Sequence, residues 1–354
     1  MGDHSLRLKA FVKLGAFFRE FISSVTNDNA ANSEDEWVSG FHKAIELASQ
    51  QNPWFTKEFQ LQAIENWGQA LEKDSLETWL SGYPLIDSKP KKVALIMAGN
   101  IPLVGFHDFL SALISGNSVL VKLSSKDKVL FPFIAKYLIA AEPSLASAIS
   151  FTDGRLSGYD AVIATGSNNS ARYFEYYFGS KPNIIRKNRN SVAVLDGTEN
   201  EIQLNALGRD IFDYFGMGCR NVSKFYVPET YKFDKFYESI ESFSGVLNHS
   251  KYANNYDYNK AVYLMSEFPI LDNGFLLLKE DSAYSSPIGA VFYERYRSKE
   301  ELKHRLEQDQ EQIQCVVSSS EEIGLPFGQA QSPGLTDYAD GIDTIEFMLK
   351  IAQQ

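Results

Sequence analysis

The sequence predicts an α/β protein in which a Rossmann-like domain and a second α/β domain follow a helical N-terminal segment. Three observations carry this expectation. At 354 residues the chain exceeds what a single hydrophobic core usually serves. Over roughly the first eighty residues, apolar side chains recur at helical spacing. Beyond them, short β-rich runs alternate with helical stretches, the texture of a parallel sheet covered on both faces.

The helical segment reads from Ser5 to about Ser81, with Leu8, Phe11, Leu14, Phe18 and Phe21 on one stripe and Trp37, Phe41, Ile45 and Leu47 on another. Their spacing is that of a packed helix face, so these aromatics are expected in a core. Turn residues at Gly82-Tyr-Pro and Asp87-Ser-Lys-Pro end the pattern. Strands are then expected at 93–98, 118–123, 148–151, 159–164, 182–186 and 191–195, with helices over 102–114, 129–141 and 169–178 between them. A sheet of this kind binds nucleotides at the carboxyl ends of its strands. A helix over 201–215 leads through Gly216-Met-Gly-Cys-Arg-Asn into a strand at 222–227, and later strands are expected at 288–293 and 313–317 with a helix at 299–308. The expected domains are 1–90, a helical segment packed on the next domain; 91–200, Rossmann-like and NAD(P)-binding; 201–330, carrying Cys219; and 331–354, a C-terminal segment.

Composition narrows the function. With 44% hydrophobic and 22% charged residues the chain is globular. A net charge of −11 provides no broad positive field, so nucleic acid is not an expected partner. Basic residues cluster at Lys89, Lys91 and Lys92, at Lys122, Lys126 and Lys128, and at Arg186, Lys187 and Arg189; each group is open to reading as a phosphate contact or as a solvated face. Cys219 and Cys315 are too few for a disulfide framework, which fits a reducing compartment. The five histidines lack the close spacings of zinc sites, so no metal is expected. No apolar run reaches the length of a membrane span, and the N-terminal pattern is not that of a secretory signal. Cytoplasmic residence is the resulting expectation.

Cys219 lies between glycines and an Arg-Asn pair, where a loop can present a thiolate to a carbonyl; a small buried hydrophobe is the alternative. Cys315, in the run Ile-Gln-Cys-Val-Val, reads as core. Asn100, in Ala98-Gly-Asn-Ile-Pro, follows a strand and opens a helix, so it reads either as a donor to a developing oxyanion or as a helix cap. Ala164-Thr-Gly-Ser opens another helix after another strand, a place where a phosphate can approach a helix N-terminus, although there is no Gly-x-Gly-x-x-Gly fingerprint. Lys122-Leu-Ser-Ser-Lys, after its strand, is open to a ribose or phosphate role or to a solvated strand end.

Taken in order, these segments resemble the aldehyde dehydrogenase superfamily and, within it, the LuxC-type acyl-CoA reductases. Ala98-Gly-Asn-Ile-Pro-Leu is similar to the family's Asn-bearing strand-to-helix turn, and Ser115-Gly-Asn-Ser-Val-Leu-Val-Lys-Leu-Ser-Ser to its Gly-Asn to Lys-Pro-Ser segment. Ala164-Thr-Gly-Ser resembles the turn near the cofactor phosphates, Gly216-Met-Gly-Cys the nucleophile loop, and Ser286-Pro-Ile-Gly-Ala-Val-Phe the strand entry after it. Phe327-Gly-Gln-Ala-Gln-Ser-Pro and Asp337-Tyr-Ala-Asp-Gly-Ile-Asp-Thr look like the acyl-CoA reductase branch. The resemblance runs from about residue 91 to the C-terminus.

It implies an aldehyde dehydrogenase-like fold and an oxidoreductase that converts acyl-CoA to aldehyde through a Cys219 thioester. Asn100 and the Cys219 backbone N–H would form the oxyanion site. Lys122, Ser124 and Ser125 would meet the adenosine ribose side of the cofactor, and Thr165, Gly166 and Ser167 its diphosphate. NADPH is the expected reductant, because Ser125 stands where an acid would hold a free ribose and Lys126 and Lys128 are close by in sequence; NADH is the alternative. CoA is substrate and product, and a homo-oligomer is left open. The glutamate base of hydrolytic relatives has no counterpart in Asn183-Ile-Ile-Arg-Lys-Asn-Arg. An aldehyde-oxidising dehydrogenase and a non-catalytic nucleotide-binding protein are the competing readings.

Overall fold

The computed structural model describes residues 3–27, 33–85 and 89–353. The chain divides into two compact units, 1–187 with 334–354 and 188–333.

The first unit opens with four helices, α1 (Asp3–Thr26), α2 (Glu36–Gln51), α3 (Lys57–Ala70) and α4 (Lys73–Leu80). Phe11, Leu14, Phe18 and Phe21 are all fully buried, as the spacing of α1 requires. The helix starts are written locally: the Asp35 carboxylate accepts the N–H groups of Trp37 and Val38, and the Thr56 hydroxyl that of Phe59. Small residues let α1 and α3 meet closely, since a Cβ on Gly15 would stand 2.6 Å from the Leu71 side chain. Of the expected turns after α4, the one at Gly82 is present, whereas Asp87 and Ser88 lie outside the described residues.

These helices join one continuous core with a five-stranded sheet. Its strands are β1 (Lys92–Ile96), β2 (Ser118–Lys122), β3 (Ile149–Phe151), β4 (Ala161–Thr165) and β5 (Asn183–Arg186), in the order β3-β2-β1-β4-β5. Every pairing is parallel, so all carboxyl ends lie along one edge. The intervening helices are α5 (Phe106–Ile114), α6 (Leu130–Ala141) and α7 (Asn168–Phe178). Rings from α1, α2 and α6 stack on one another: Phe17 lies 4.5 Å from Tyr137, and Phe41 4.9 Å from Phe133, between centroids.

The second unit holds a six-stranded sheet ordered β11-β6-β7-β10-β9-β8. Its strands are β6 (Asn190–Val194), β7 (Val222–Pro228), β8 (Ile270–Asp272), β9 (Leu277–Glu280), β10 (Ala290–Tyr296) and β11 (Ile313–Ser318). All pairings are parallel except that of β8 with β9. The helices of this unit are α8 (Glu201–Phe212), α9 (Asp234–Ser239), α10 (Ser250–Met265) and α11 (Lys299–Gln308).

Beyond shifts of a few residues at element ends, such as α8 stopping at Phe212 short of the expected 215, three differences from the sequence reading stand out. Residues 191–195, expected in the first sheet, form β6 between β7 and β11 of the second, because a parallel strand can pair equally well in either sheet and its apolar run does not specify which. The C-terminal segment returns to the first unit as α12 (Thr344–Ala352), whose Ile345, Met348 and Ile351 enter the first core. A buried ion pair lies beside it: Arg186, at the end of β5, contacts Asp108 at 2.8 Å and donates to the Thr344 hydroxyl at 3.2 Å. Third, the helix expected from Pro102 begins at Phe106, because the chain turns through a left-handed Leu103 at φ 57° first.

Candidate active site

The first unit gathers three of the expected cofactor and oxyanion segments at one edge. Asn100 follows β1, Ser124 and Ser125 follow β2, and Gly166 and Ser167 follow β4. The strand order reverses direction between β1 and β4, and in open α/β sheets the crevice at such a switch point is where ligands bind. Gly99 brings two of the segments into contact. A Cβ there would stand 2.7 Å from Ser124, so the Asn100 turn lies directly on the loop after β2.

The hydroxyls have distinct surroundings. Ser124 Oγ accepts the Lys126 N–H at 3.2 Å and closes its own turn, whereas Ser125 is exposed. Ser167 caps α7, its Oγ accepting the Ser170 N–H at 3.3 Å. Thr165 ends β4 paired with Arg186. Gly166 is required by local packing, since a Cβ would stand 2.9 Å from both Phe174 and Ser170. Lys122 Nζ donates to the Gly154 carbonyl at 3.0 Å, and Lys128 is ion-paired with Asp153 at 2.7 Å. That pair holds the Asp153 carboxyl below its usual range and leaves Lys126 as the exposed cation nearest Ser125 in sequence.

The second unit presents Cys219. Its loop leaves α8 through Tyr214, Phe215 and Gly216, all at positive φ (55°, 56° and 75°). For two aromatic residues this conformation is strained, at about 1–3 kcal/mol each, and it persists only where the surroundings enforce it. Asn221 supplies the enforcement. Its side-chain oxygen accepts the Gly218 N–H at 2.8 Å, and its amide donates to the carbonyls of Asp210 and Asp213 at 3.1 and 2.8 Å. Asp210, also buried, accepts the N–H groups of Gly328 and Ala330, tying α8 to the Phe327-Gly-Gln-Ala segment; burial raises its carboxyl to about 6 against those bonds. Ser191, at the amino end of β6, donates to the Cys219 carbonyl at 3.0 Å. The Cys219 side chain, on a backbone held from two directions, is exposed.

Cys315 departs from its reading as an apolar core residue. It is half-buried, its Sγ is 3.0 Å from Ser191 Oγ, and its N–H donates to the same oxygen at 3.2 Å. Ser191 therefore couples β11 to the Cys219 loop. Neither Ser191 nor Asn221 stood out in the sequence; the one signal for Asn221 was its place in the Cys-Arg-Asn run before a strand.

Two groups of the second unit, Glu199 and His249, have side chains of a type that activates water. Glu199 accepts the N–H groups of Asp196 and Gly197, beyond the carboxyl end of β6. Cys219 precedes β7, which runs parallel to β6 with Ser191 opposite Val222. The two therefore lie at opposite ends of the sheet, separated by at least a strand length of about 13 Å at roughly 3.3 Å per residue. His249 packs on Phe215 with centroids 4.3 Å apart, and its Nδ1 accepts the Tyr252 N–H as the cap of α10. That contact engages the imidazole at the start of α10. Among the described residues, no group of three or more His, Cys, Asp or Glu side chains is placed to hold a metal ion, and no helix is long and apolar enough to cross a membrane.

Comparison with known proteins adds two findings. Residues 70–238 match the sequence model of the acyl-CoA reductase (LuxC) family. The chain is 23% identical over 231 residues to a long-chain acyl-protein thioester reductase of Aliivibrio fischeri, and 24% identical over 232 residues to long-chain acyl-protein thioester reductase 2 of Photobacterium leiognathi. Each alignment covers 58% of this chain and 47% of the relative, so the chain spans about half the length of these curated relatives. The fold is similar to that of aldehyde dehydrogenase 21 from Physcomitrella patens, with a TM-score of 0.67 at 13% identity over 99% of this chain and 84% of that one. It is also similar to that of an NAD+-bound aldehyde dehydrogenase from Bacillus cereus, with a TM-score of 0.60 at 14% identity over 90% and 72%. Residues 70–238 are thus similar to the LuxC-type acyl-CoA reductases, and the fold is that of the aldehyde dehydrogenases.

Proposed function

We propose that the protein reduces acyl thioesters, acyl-CoA first among them, to aldehydes with NADPH or NADH, through a thioester on Cys219. The observation that carries this reading is an exposed thiol on a strained loop pinned by Asn221 and Ser191.

The Cys219 thiolate attacks the acyl carbonyl, the carbon–sulfur bond to CoA breaks, and CoA leaves as a thiol after taking up a proton. Asn100 and the Cys219 N–H stabilise the oxyanion formed in that attack. The nicotinamide, when bound, would supply the hydride that reduces the enzyme thioester to a thiohemiacetal. Collapse of the resulting thiohemiacetal frees the aldehyde and regenerates the thiolate. Ser125, Lys126, Thr165, Gly166 and Ser167 would hold the cofactor at the edge where β1, β2 and β4 end, and the exposed Ser125–Lys126 pair suits a 2′-phosphate. A reducing, cytoplasmic setting belongs to the same reading, because the mechanism needs an unoxidised thiol. The relatives' names add a second substrate form, an acyl group carried on a protein thiol.

The test is a panel of acyl-CoAs of graded chain length, each assayed for aldehyde with NADPH and with NADH. Aldehyde formed with NADPH at least as fast as with NADH supports the reading. Aldehyde oxidation to free acid without CoA, in place of reduction, overturns it.

A further inference from the structure

The loop after β2 contains one group that this mechanism leaves unused. Asp127 is 3% exposed, and neither of its carboxyl oxygens makes a well-aligned hydrogen bond. A buried polar group in that condition is costly and calls for a physical reason. The backbone N–H that faces the carboxyl is that of Leu103, the residue whose left-handed φ of 57° shapes the Asn100 turn. Gly99, next to Asn100, packs on the same loop: a Cβ there would stand 2.7 Å from Ser124 and 3.3 Å from the Asp127 nitrogen.

The loop itself is anchored. Asp127 N–H donates to the Ser124 carbonyl at 3.1 Å, and the Asn52 amide of the helical segment donates to the Lys126 carbonyl at 3.3 Å. The neighbouring charges point elsewhere, with Lys126 exposed and Lys128 paired to Asp153. Asp127 thus stands on a fixed support behind a strained turn, and its carboxyl meets the backbone of that turn.

We propose that Asp127 is a positioning residue: its carboxyl, set against the Leu103 N–H, keeps the strained turn closed on the Ser124 loop and so fixes where the Asn100 amide stands. The proposal rests on the reading of Asn100 as the oxyanion donor. Burial raises the carboxyl to about 7, which favours a neutral group in the closed turn.

The test compares D127A, D127N and N100A with the D127A/N100A double variant, using dodecanoyl-CoA and NADPH as probes together with amide hydrogen exchange over residues 98–106. In D127A we expect faster exchange in that segment and a kcat lower by about tenfold or more, the scale of a misplaced catalytic group, with the KM for NADPH within about twofold. D127N keeps an acceptor for the Leu103 N–H and should restore both readouts. In the N100A background, D127A should cost nothing further in kcat. Unchanged exchange in D127A, or the same loss of kcat with and without Asn100, overturns the proposal. Should D127A fail to fold, D127S is read in the same way. If N100A alone keeps normal turnover, the oxyanion reading fails, and hydrogen exchange still decides whether Asp127 holds the turn.

Discussion

Cys219 owes its presentation to residues that do no chemistry. Asn221 satisfies one N–H and three carbonyls around the loop, and Ser191 donates to the Cys219 carbonyl. An exposed thiol on a loop was legible in the sequence because glycines and a polar pair surround Cys219. Its supports were not, because an Asn or Ser shows its partners only after the strands on either side have paired. Cys315 was misread for the same reason: an apolar run predicts burial, yet the thiol sits on Ser191 Oγ. C219S should abolish aldehyde formation while NADPH affinity, measured by nucleotide fluorescence, stays within about twofold, since an alcohol is a far poorer nucleophile than a thiolate; retained turnover would remove Cys219 from the mechanism. N221A leaves several buried backbone groups without partners and should lower stability by about 2–3 kcal/mol in denaturant titration. A loss below about 0.5 kcal/mol would show that the loop holds its shape without Asn221.

Elements with regular patterns were read correctly, and those built from unusual residues were not. The alternation of strands and helices from β1 to β5 follows from short apolar runs separated by amphipathic stretches. α10 is not legible in the sequence because its buried stripe is Tyr252, Tyr256, Asn259 and Tyr263, whereas Leu264 and Met265 are exposed, the reverse of an aliphatic helix face. The start of α5 was placed too early because Pro102 suits a first helical turn, and the left-handed Leu103 depends on tertiary contacts of the Asn100 turn. Those contacts have a pH signature. The folded Asp127 carboxyl titrates near 7, against about 3.9 when unfolded. Between these values the folded state binds the extra proton, so the stability contributed by neutral Asp127 is full below about pH 4, falls as pH rises towards 7, and is constant above. In thermal melts from pH 5.5 to 8.5, wild type should lose stability relative to D127N up to about pH 7 and run parallel to it beyond. Parallel curves throughout would mean that Asp127 is ionised across the range.

For the whole molecule, the sequence conveyed two α/β units but not the return of the C-terminus to the first of them. That return depends on α12 packing into the first core, beside the Arg186–Asp108 pair and the Thr344 hydroxyl, partners distant in sequence. In the proposed mechanism the roles divide between the units, Asn100 standing on the first and the exposed Cys219 thiol on the second. Glu199 is fixed at the opposite end of β6, and His249 spends Nδ1 on a helix cap. If neither group reaches the thiol, the proposed thioester should wait for hydride or for a thiol. The direct measurement is intact mass spectrometry of the purified protein mixed with acyl-CoA and no reduced cofactor. One acyl group should persist on Cys219, be absent from C219S, and leave as aldehyde when NADPH is added. Rapid release of free fatty acid before any cofactor is present would show that the site hydrolyses its thioester, and the reductase reading would give way to a hydrolytic one.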